Sequence, residues 1–431
     1  MATLKDPDRR PRSIASGLAG TAGSFRRNAL VLTAGTSVAQ GLPLLFYPIF
    51  TRLFAPAEFG VFAAVSFLSA VAALIASGAY EHTILIARTR RQAAHVAAYT
   101  LLRSALVLAI LLVISMPLAH VLVPLGLDSA VGAWLPAVPL VAAALVIYNC
   151  YSEWCVRSRY FGELSRVRIW QTSAIAASRL ALGTLVPGIN GFVAGDVIGK
   201  AVSAARCAVM TGKRDRPYLH IHTLPRLRAA ARRHAHVARY TLRDQLVNTL
   251  AGSIHVVFLS AAFGTKELGY VSLVLSILYV PVTVVSSAVK DVFRQRASVE
   301  YAKQGTCRAT YRRLLLPISV LAFLGFGTLY VVAPMLFPFV LGSDWSVAGE
   351  YARILMPLFF WNFVSMSLGG VLVIAQRADV SLVWQVSSLV LTIFGLLVGT
   401  IILNDIVATL WCFTVTRALA YILYMVLSYH Y

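Results

Sequence analysis

The chain has 431 residues, of which 58% are hydrophobic and only 13% charged, and it carries a formal net charge of +21. Soluble domains hold about 25% charged residues, so the composition excludes a soluble protein and predicts an all-α integral membrane protein. Nucleic acid, the usual partner of so basic a soluble chain, is excluded with it, because in a membrane protein the excess Lys and Arg belongs to loops on one face.

Residues 1–28 form a basic arm with Lys5, Arg9, Arg10, Arg12, Arg26 and Arg27. It lacks a short apolar core followed by a small-residue cleavage site, and reads as a retained cytoplasmic arm. Twelve apolar spans follow, each near the 20 residues a bilayer needs: 29–50, 59–86, 102–124, 133–151, 169–187, 190–211, 244–264, 269–289, 314–341, 353–375, 380–403 and 406–428. With this count 31 Lys and Arg fall on one side of the membrane and two, Arg52 and Lys266, on the other. That asymmetry places both termini in the cytoplasm. The opposite loops are short, which leaves no room for an extracytoplasmic catalytic domain.

The first short turn reads Phe54-Ala55-Pro56-Ala57-Glu58-Phe59-Gly60. A degenerate copy, Phe263-Gly264-Thr265-Lys266-Glu267-Leu268-Gly269, repeats its Phe, Glu and Gly at one constant offset. Leu125-Gly126-Leu127-Asp128 with Val131 is echoed at a slightly larger offset by Leu341-Gly342-Ser343-Asp344 with Val347. Equivalent turns six spans apart predict two parallel repeats related by an axis along the membrane normal. The expected organisation is therefore the arm, an N-terminal six-helix lobe over 29–211, a cytoplasmic basic linker over 212–243, and a C-terminal lobe over 244–431. The linker holds Arg226, Arg228, Arg232 and Arg233, and fits either an amphipathic surface helix or a solvated segment near anionic headgroups.

Ionisable groups within apolar spans are costly and point to pathways or sites. Arg179 lies in span five, Asp196 and Lys200 in span six, Asp244 at the start of span seven and Arg417 in span twelve. Glu81 and Arg353 lie towards span ends. Asp196 and Lys200, four residues apart, can pair on one helical face, as a structural pair or as part of a site. Asp244 reads as an N-cap or an ion site, and Glu81 as an interfacial residue or an ion site. Arg179 and Arg417 sit too deep to reach either surface. A guanidinium fork suits phosphate oxygens, so both are expected to face one cationic cavity for a phosphate-bearing substrate, with Arg52 at its outer rim. The five cysteines form no CxxC pair, so neither a disulfide nor a zinc site is expected. No nucleotide-binding loop, GxSxG or HExxH motif occurs; no catalytic residue, cofactor or metal is predicted.

The run Pro48-Ile49-Phe50-Thr51-Arg52-Leu53-Phe54-Ala55-Pro56-Ala57-Glu58-Phe59-Gly60, with Gln40 before it and Tyr80-Glu81 after it, resembles the Wzx-type polysaccharide flippases of the MOP (multidrug, oligosaccharidyl-lipid, polysaccharide) exporter superfamily. Arg157 to Phe161, Phe263 to Gly269, Pro281 to Gln295 and Trp345 to Leu355 extend the likeness over roughly 30–390. The resemblance implies twelve transmembrane helices in two pseudo-symmetric six-helix lobes. It also implies movement of undecaprenyl-diphosphate-linked oligosaccharides across the bacterial inner membrane by alternating access, with polysaccharide polymerase and glycosyltransferases as partners. Arg179, Arg417, Lys200, Arg52 and Arg353 are then the substrate-binding candidates. Family motifs assign no coupling ion; Asp196, Asp244 and Glu81 are the candidates. Rival readings are a drug exporter, a peptidoglycan-precursor flippase (which usually carries two further spans) and a non-transporting subunit of an assembly complex. The second copy of the turn lacks the prolines of the first, so the two turns are expected to differ.

Overall fold

The computed structural model describes residues 35–122, 128–186, 188–214 and 223–430. The basic arm and Leu125-Gly126-Leu127 of the second echo lie outside them. The first half contains α1 (35–53), α2 (Pro56–Ser77), α3 (Arg90–Leu122), the one-turn α4 (Ser129–Ala133), α5 (Ala137–Arg157), α6 (Phe161–Leu185) and α7 (Ile189–Arg214). The second contains α8 (Leu224–Ser253), α9 (His255–Gln304), α10 (Arg308–Leu341), α11 (Ser346–Ser367), the one-turn α12 (Val371–Ile374), α13 (Ala378–Leu397) and α14 (Ile406–His430). No strand occurs among the described residues.

Within the described residues each of the twelve predicted spans falls on one or two of these helices; 29–34 of span one, 123–124 of span three and 187 of span five lie outside them. Among the described residues, eight helices are long and apolar enough to cross a membrane, one of them the stretch Leu224–Gln304 that contains two predicted spans. Local chemistry sets the boundaries. Pro56 opens α2 with the φ a first turn needs, and Glu58 reaches back to accept the Ala55 N–H at 2.9 Å. Gly78, at φ 61°, closes α2 well before the predicted end of span two, because a left-handed cap needs no Cβ. Gly264, at φ 81° and ψ 178°, breaks α9 into two helices at the second copy of the turn. At the other end of α9, Glu300 accepts the N–H groups of Ala309 and Thr310 at 2.9 and 2.8 Å, capping α10. Desolvation raises that carboxyl's pKa, but the bonds from Thr310 and Ala309 outweigh it and the net shift is downward.

Residues 224–243 form the first two thirds of α8, continuous with span seven. Leu227, Ala231, His234 and Ala238 are its buried stripe, at helical spacing. This favours the helix over the solvated segment for these residues. Asp244 therefore sits in mid-helix, and its N-cap reading is corrected: the helix starts several turns earlier, at Leu224.

The repeat is visible in the packing. α5 packs against α2, α3 and α7, while its counterpart α11 packs against α9, α10 and α14. Both halves also end in a tight pair, α6 on α7 and α13 on α14. In the first pair the small residues Gly191, Gly195 and Gly199 lie on α7, where a Cβ on Gly195 would come within 2.6 Å of Arg179 Cα. In the second pair the glycines change helix: Gly395 of α13 faces Thr416 and the Cys412 carbonyl of α14, and Gly399, in the π-helical turn that follows α13, faces Thr409. Gly195 and Cys412 stand as far apart along the chain as Ser178 and Gly395 do. The same close crossing is thus built twice. A small residue on either helix suffices to let two backbones approach.

Candidate functional site

The two copies of the turn meet. A Cβ on Gly60 would overlap the carbonyl oxygen of Thr265, and a Cβ on Gly269 would overlap that of Pro56. Pro56 and Thr265 are equivalent positions of the repeated turn, as are Gly60 and Gly269. The contact is therefore reciprocal, the signature of a twofold interface, and the pseudo-axis passes between α2 and the second part of α9. Backbones this close leave no space for a side chain, so glycine is required on both sides.

Among the described residues two further bonds join the halves here, and neither has a symmetric copy. The Trp345 indole N–H donates to the Thr51 carbonyl at 3.0 Å. That carbonyl belongs to the last turn of α1, where no helical donor is available. Thr265 donates its hydroxyl to Asp128 at 2.9 Å, while the other oxygen of Asp128 caps α4 through Ala130 N–H at 2.8 Å. In the first copy Pro56 replaces Thr265 and has no hydroxyl. The missing proline of the second copy thus corresponds to an added tie between the halves. Thr265→Val is expected to remove this hydrogen bond and cost about 1 kcal/mol. Hydrogen exchange over 128–133 and 263–270 should rise severalfold.

The first intramembrane cluster is on α6 and α7. Arg179 Nη2 and Lys200 Nζ both lie 2.7 Å from Asp196, each on its own carboxylate oxygen. The glycine-lined crossing brings Asp196 against Arg179, so the expected i,i+4 pair is in fact a triad. Asp196 is 3% exposed, and the triad carries a formal charge of +1. The Arg179 guanidinium lies 4.3 Å from the Phe62 ring centroid and 4.7 Å from that of Phe192. Phe192, fully buried, also packs on Phe54 and Phe59, and Phe59 meets Trp345 edge-on at 5.0 Å. An unbroken aromatic chain therefore runs from the triad to the joined end.

The second cluster surrounds Arg417 on α14. Arg417 follows Lys200 at the same interval that separates Gly195 from Cys412, so the two cations are matched positions of the two halves. Arg417 donates to Tyr421 Oη at 2.8 Å, to Ser388 Oγ at 3.1 Å and to the Ala251 carbonyl at 3.4 Å. It is 8% exposed, and among the described residues no carboxylate lies within ion-pair distance of it. Its partners come from α8, α13 and α14, with Tyr279 of α9 also hydrogen-bonded to it. Arg179 and Arg417 thus each anchor a hydrogen-bonded cluster, one per half.

Residues 49–350 match a family described as polysaccharide biosynthesis protein. The chain belongs to that family. No curated protein matches it. Among solved structures, the lipid II flippase MurJ in an inward closed conformation is similar with a TM-score of 0.72 at 12% identity, over 93% of this chain and 88% of that one. A multidrug resistance MATE family transporter of the MOP superfamily, inward-facing, gives 0.67 at 14% identity over 90% and 93%. A MOP superfamily transporter from Pyrococcus furiosus gives 0.56 at 15% identity over 93% and 94%. The fold of this chain is that of the MOP transporters and flippases, as the resemblance implied.

The other sequence candidates are dispersed in this family member. Arg52 is exposed at the end of α1. Arg353 is on the surface of α11, 3.5 Å from Glu350. Asp244 accepts from Gln385 at 3.1 Å between α8 and α13. Glu81 is buried within the protein. It is 1% exposed in a 3₁₀ turn, with one oxygen accepting from Ser77 at 3.0 Å and the other without a partner. Sequence reasoning missed Asp128, Thr265 and Trp345. Asp128 carried a signal, since it closes the second echo, but its partner is 137 residues away. The hydroxyls around Arg417 gave none.

Proposed function

We propose that this chain is a flippase that moves polyprenyl-diphosphate-linked oligosaccharide units across the bacterial inner membrane for surface or exopolysaccharide assembly. The observation that carries the reading is the matched pair of cations on α7 and α14, of which Lys200 is neutralised by Asp196 and Arg417 has no carboxylate. A buried guanidinium without a countercharge is costly, and an anionic oxygen-rich ligand would supply one. The two halves meet on a twofold contact at the short-loop end, so rocking about that axis would expose the clusters to each side in turn. In this reading Arg417, Arg179 and Lys200 engage the diphosphate or acidic sugars, and Arg52 and Arg353 lie along the exit. Asp196, Asp244 and Glu81 are the candidates for ion coupling. Both termini are cytoplasmic, and polymerase and glycosyltransferases are the partners that supply and consume the unit.

The test is leaflet exchange of a fluorescent lipid-diphosphate glycan in proteoliposomes. Exchange well above empty vesicles is expected. Arg417→Gln should lower it at least about tenfold, the effect of losing one charge-assisted bond of roughly 1.5–3 kcal/mol. Exchange equal to empty vesicles would overturn the reading.

A further inference from the structure

The surface between α10 and α11 has a groove of about 380 Å³, with Phe323, Gly327 and Tyr330 on one wall and Pro357, Phe360 and Trp361 on the other. The walls are almost wholly apolar, and the surrounding face of α10 exposes Leu316, Val320, Leu324 and Val331, as a lipid-facing helix does. Three local features make the groove. A Cβ at Gly327 would meet nothing within 4 Å, so this glycine leaves open space. Pro357 sits inside α11, where its ring stiffens the wall and its missing N–H leaves the Arg353 carbonyl without its helical donor. Phe360 and Trp361 stand edge to face at 5.0 Å and form a fixed corner.

One end of the groove is charged. The Arg353 guanidinium lies 5.5 Å from the Tyr330 ring centroid, and its pairing with Glu350 at 3.5 Å is loose, both side chains being about half exposed. α11 starts at Ser346, at the short-loop end, so Arg353 is about 10 Å into the helix and the Pro357–Trp361 wall about 16–22 Å, at 1.5 Å per residue. A charged pair at this depth on an apolar face is costly without a function, and a long arginine can extend its head towards the interface.

We propose that this groove holds the polyprenyl tail of the lipid-linked substrate, with Arg353 on its phosphate, once the headgroup has reached the short-loop side. The order of features is that of such a molecule: anion-binding group nearer the interface, apolar slot towards the middle. A polyprenyl chain is stiffened by its double bonds and carries regularly spaced methyl branches, which pack on rigid ring faces and edges. A saturated acyl chain has neither feature. The groove has room for a few isoprene units and leaves the rest of the tail in lipid. The site rests on the flippase reading above and adds where the tail is held.

The experiment is photocrosslinking of a diazirine-bearing polyprenyl phosphate to the full chain in nanodiscs, with mass-spectrometric mapping. Adducts are expected on 323–330 and 356–361. Unlabelled polyprenyl phosphate should compete them away, and phosphatidylglycerol at the same concentration should not. Gly327→Phe should fill the groove and abolish the adducts, and Arg353→Gln should weaken competition at least fivefold. Unchanged thermal unfolding of both variants shows that they fold. Adducts elsewhere, equal competition by phosphatidylglycerol, or adducts that survive Gly327→Phe would overturn the proposal. Leaflet exchange by the unaltered chain is read separately: exchange without groove adducts removes the tail site alone, and adducts without exchange remove the flippase reading alone.

Discussion

Replacing Gly60 by valine is expected to abolish function by forcing α2 and α9 apart. The obstacle is the backbone of Thr265, not the end of a flexible side chain, so no rotamer change relieves it. Overpacking a core ordinarily costs about 1–3 kcal/mol, and a clash with main chain on the pseudo-axis belongs at or above the top of that range. Gly269→Val should do the same, because its Cβ meets the equivalent carbonyl of Pro56. The informative variant is the double one. Both substitutions break a single contact, so the second adds far less than the first, in contrast to the additivity of distant sites. Thermal unfolding of the two singles and the double in detergent checks this. Fully additive losses would show that the two glycines do not share one interface.

Where the halves meet was half legible in the sequence. The echo of Phe54–Gly60 at Phe263–Gly269 gave the repeat and its parallel sense, and the apolar runs gave the span count. That the two copies touch could not be read, because a repeat states equivalence and not proximity. The offset between the halves grows along the chain, from the turn to the second echo and again to the last helices. That drift conceals the match between Lys200 and Arg417 unless the helices are superposed. The stripe Leu227, Ala231, His234, Ala238 stands at helical spacing, but the arginines between its members suit an amphipathic surface helix and a solvated segment equally, so the sequence alone leaves both open. Asp196 and Lys200 are neighbours along one helix and were paired from spacing alone. Arg179 is 17 residues before Asp196, and only the glycine-lined crossing of α6 and α7 brings them together.

That triad yields the other large effect. Asp196 satisfies two cations at once, so its three members are not equivalent. Lys200→Met leaves Arg179 paired with Asp196 and removes one charge from a site where the lysine side chain is 14% exposed. A hydrophobic replacement of one partner that leaves the rest paired is expected to change stability little. Asp196→Ala leaves two cations facing each other with no countercharge, and removing one partner of a buried ion pair costs about 3–5 kcal/mol. Asp196→Asn keeps the shape and some hydrogen bonds but not the charge, and should fall between the two. The order of thermal unfolding temperatures is therefore wild type near Lys200→Met, then Asp196→Asn, then Asp196→Ala. Adding Lys200→Met to Asp196→Ala should recover part of the loss, since it removes the repulsion while Arg179 keeps the faces of Phe62 and Phe192. If the double variant were less stable than Asp196→Ala alone, the lysine would be held by packing and not by the carboxylate. The triad would then be two separate contacts that happen to share a residue.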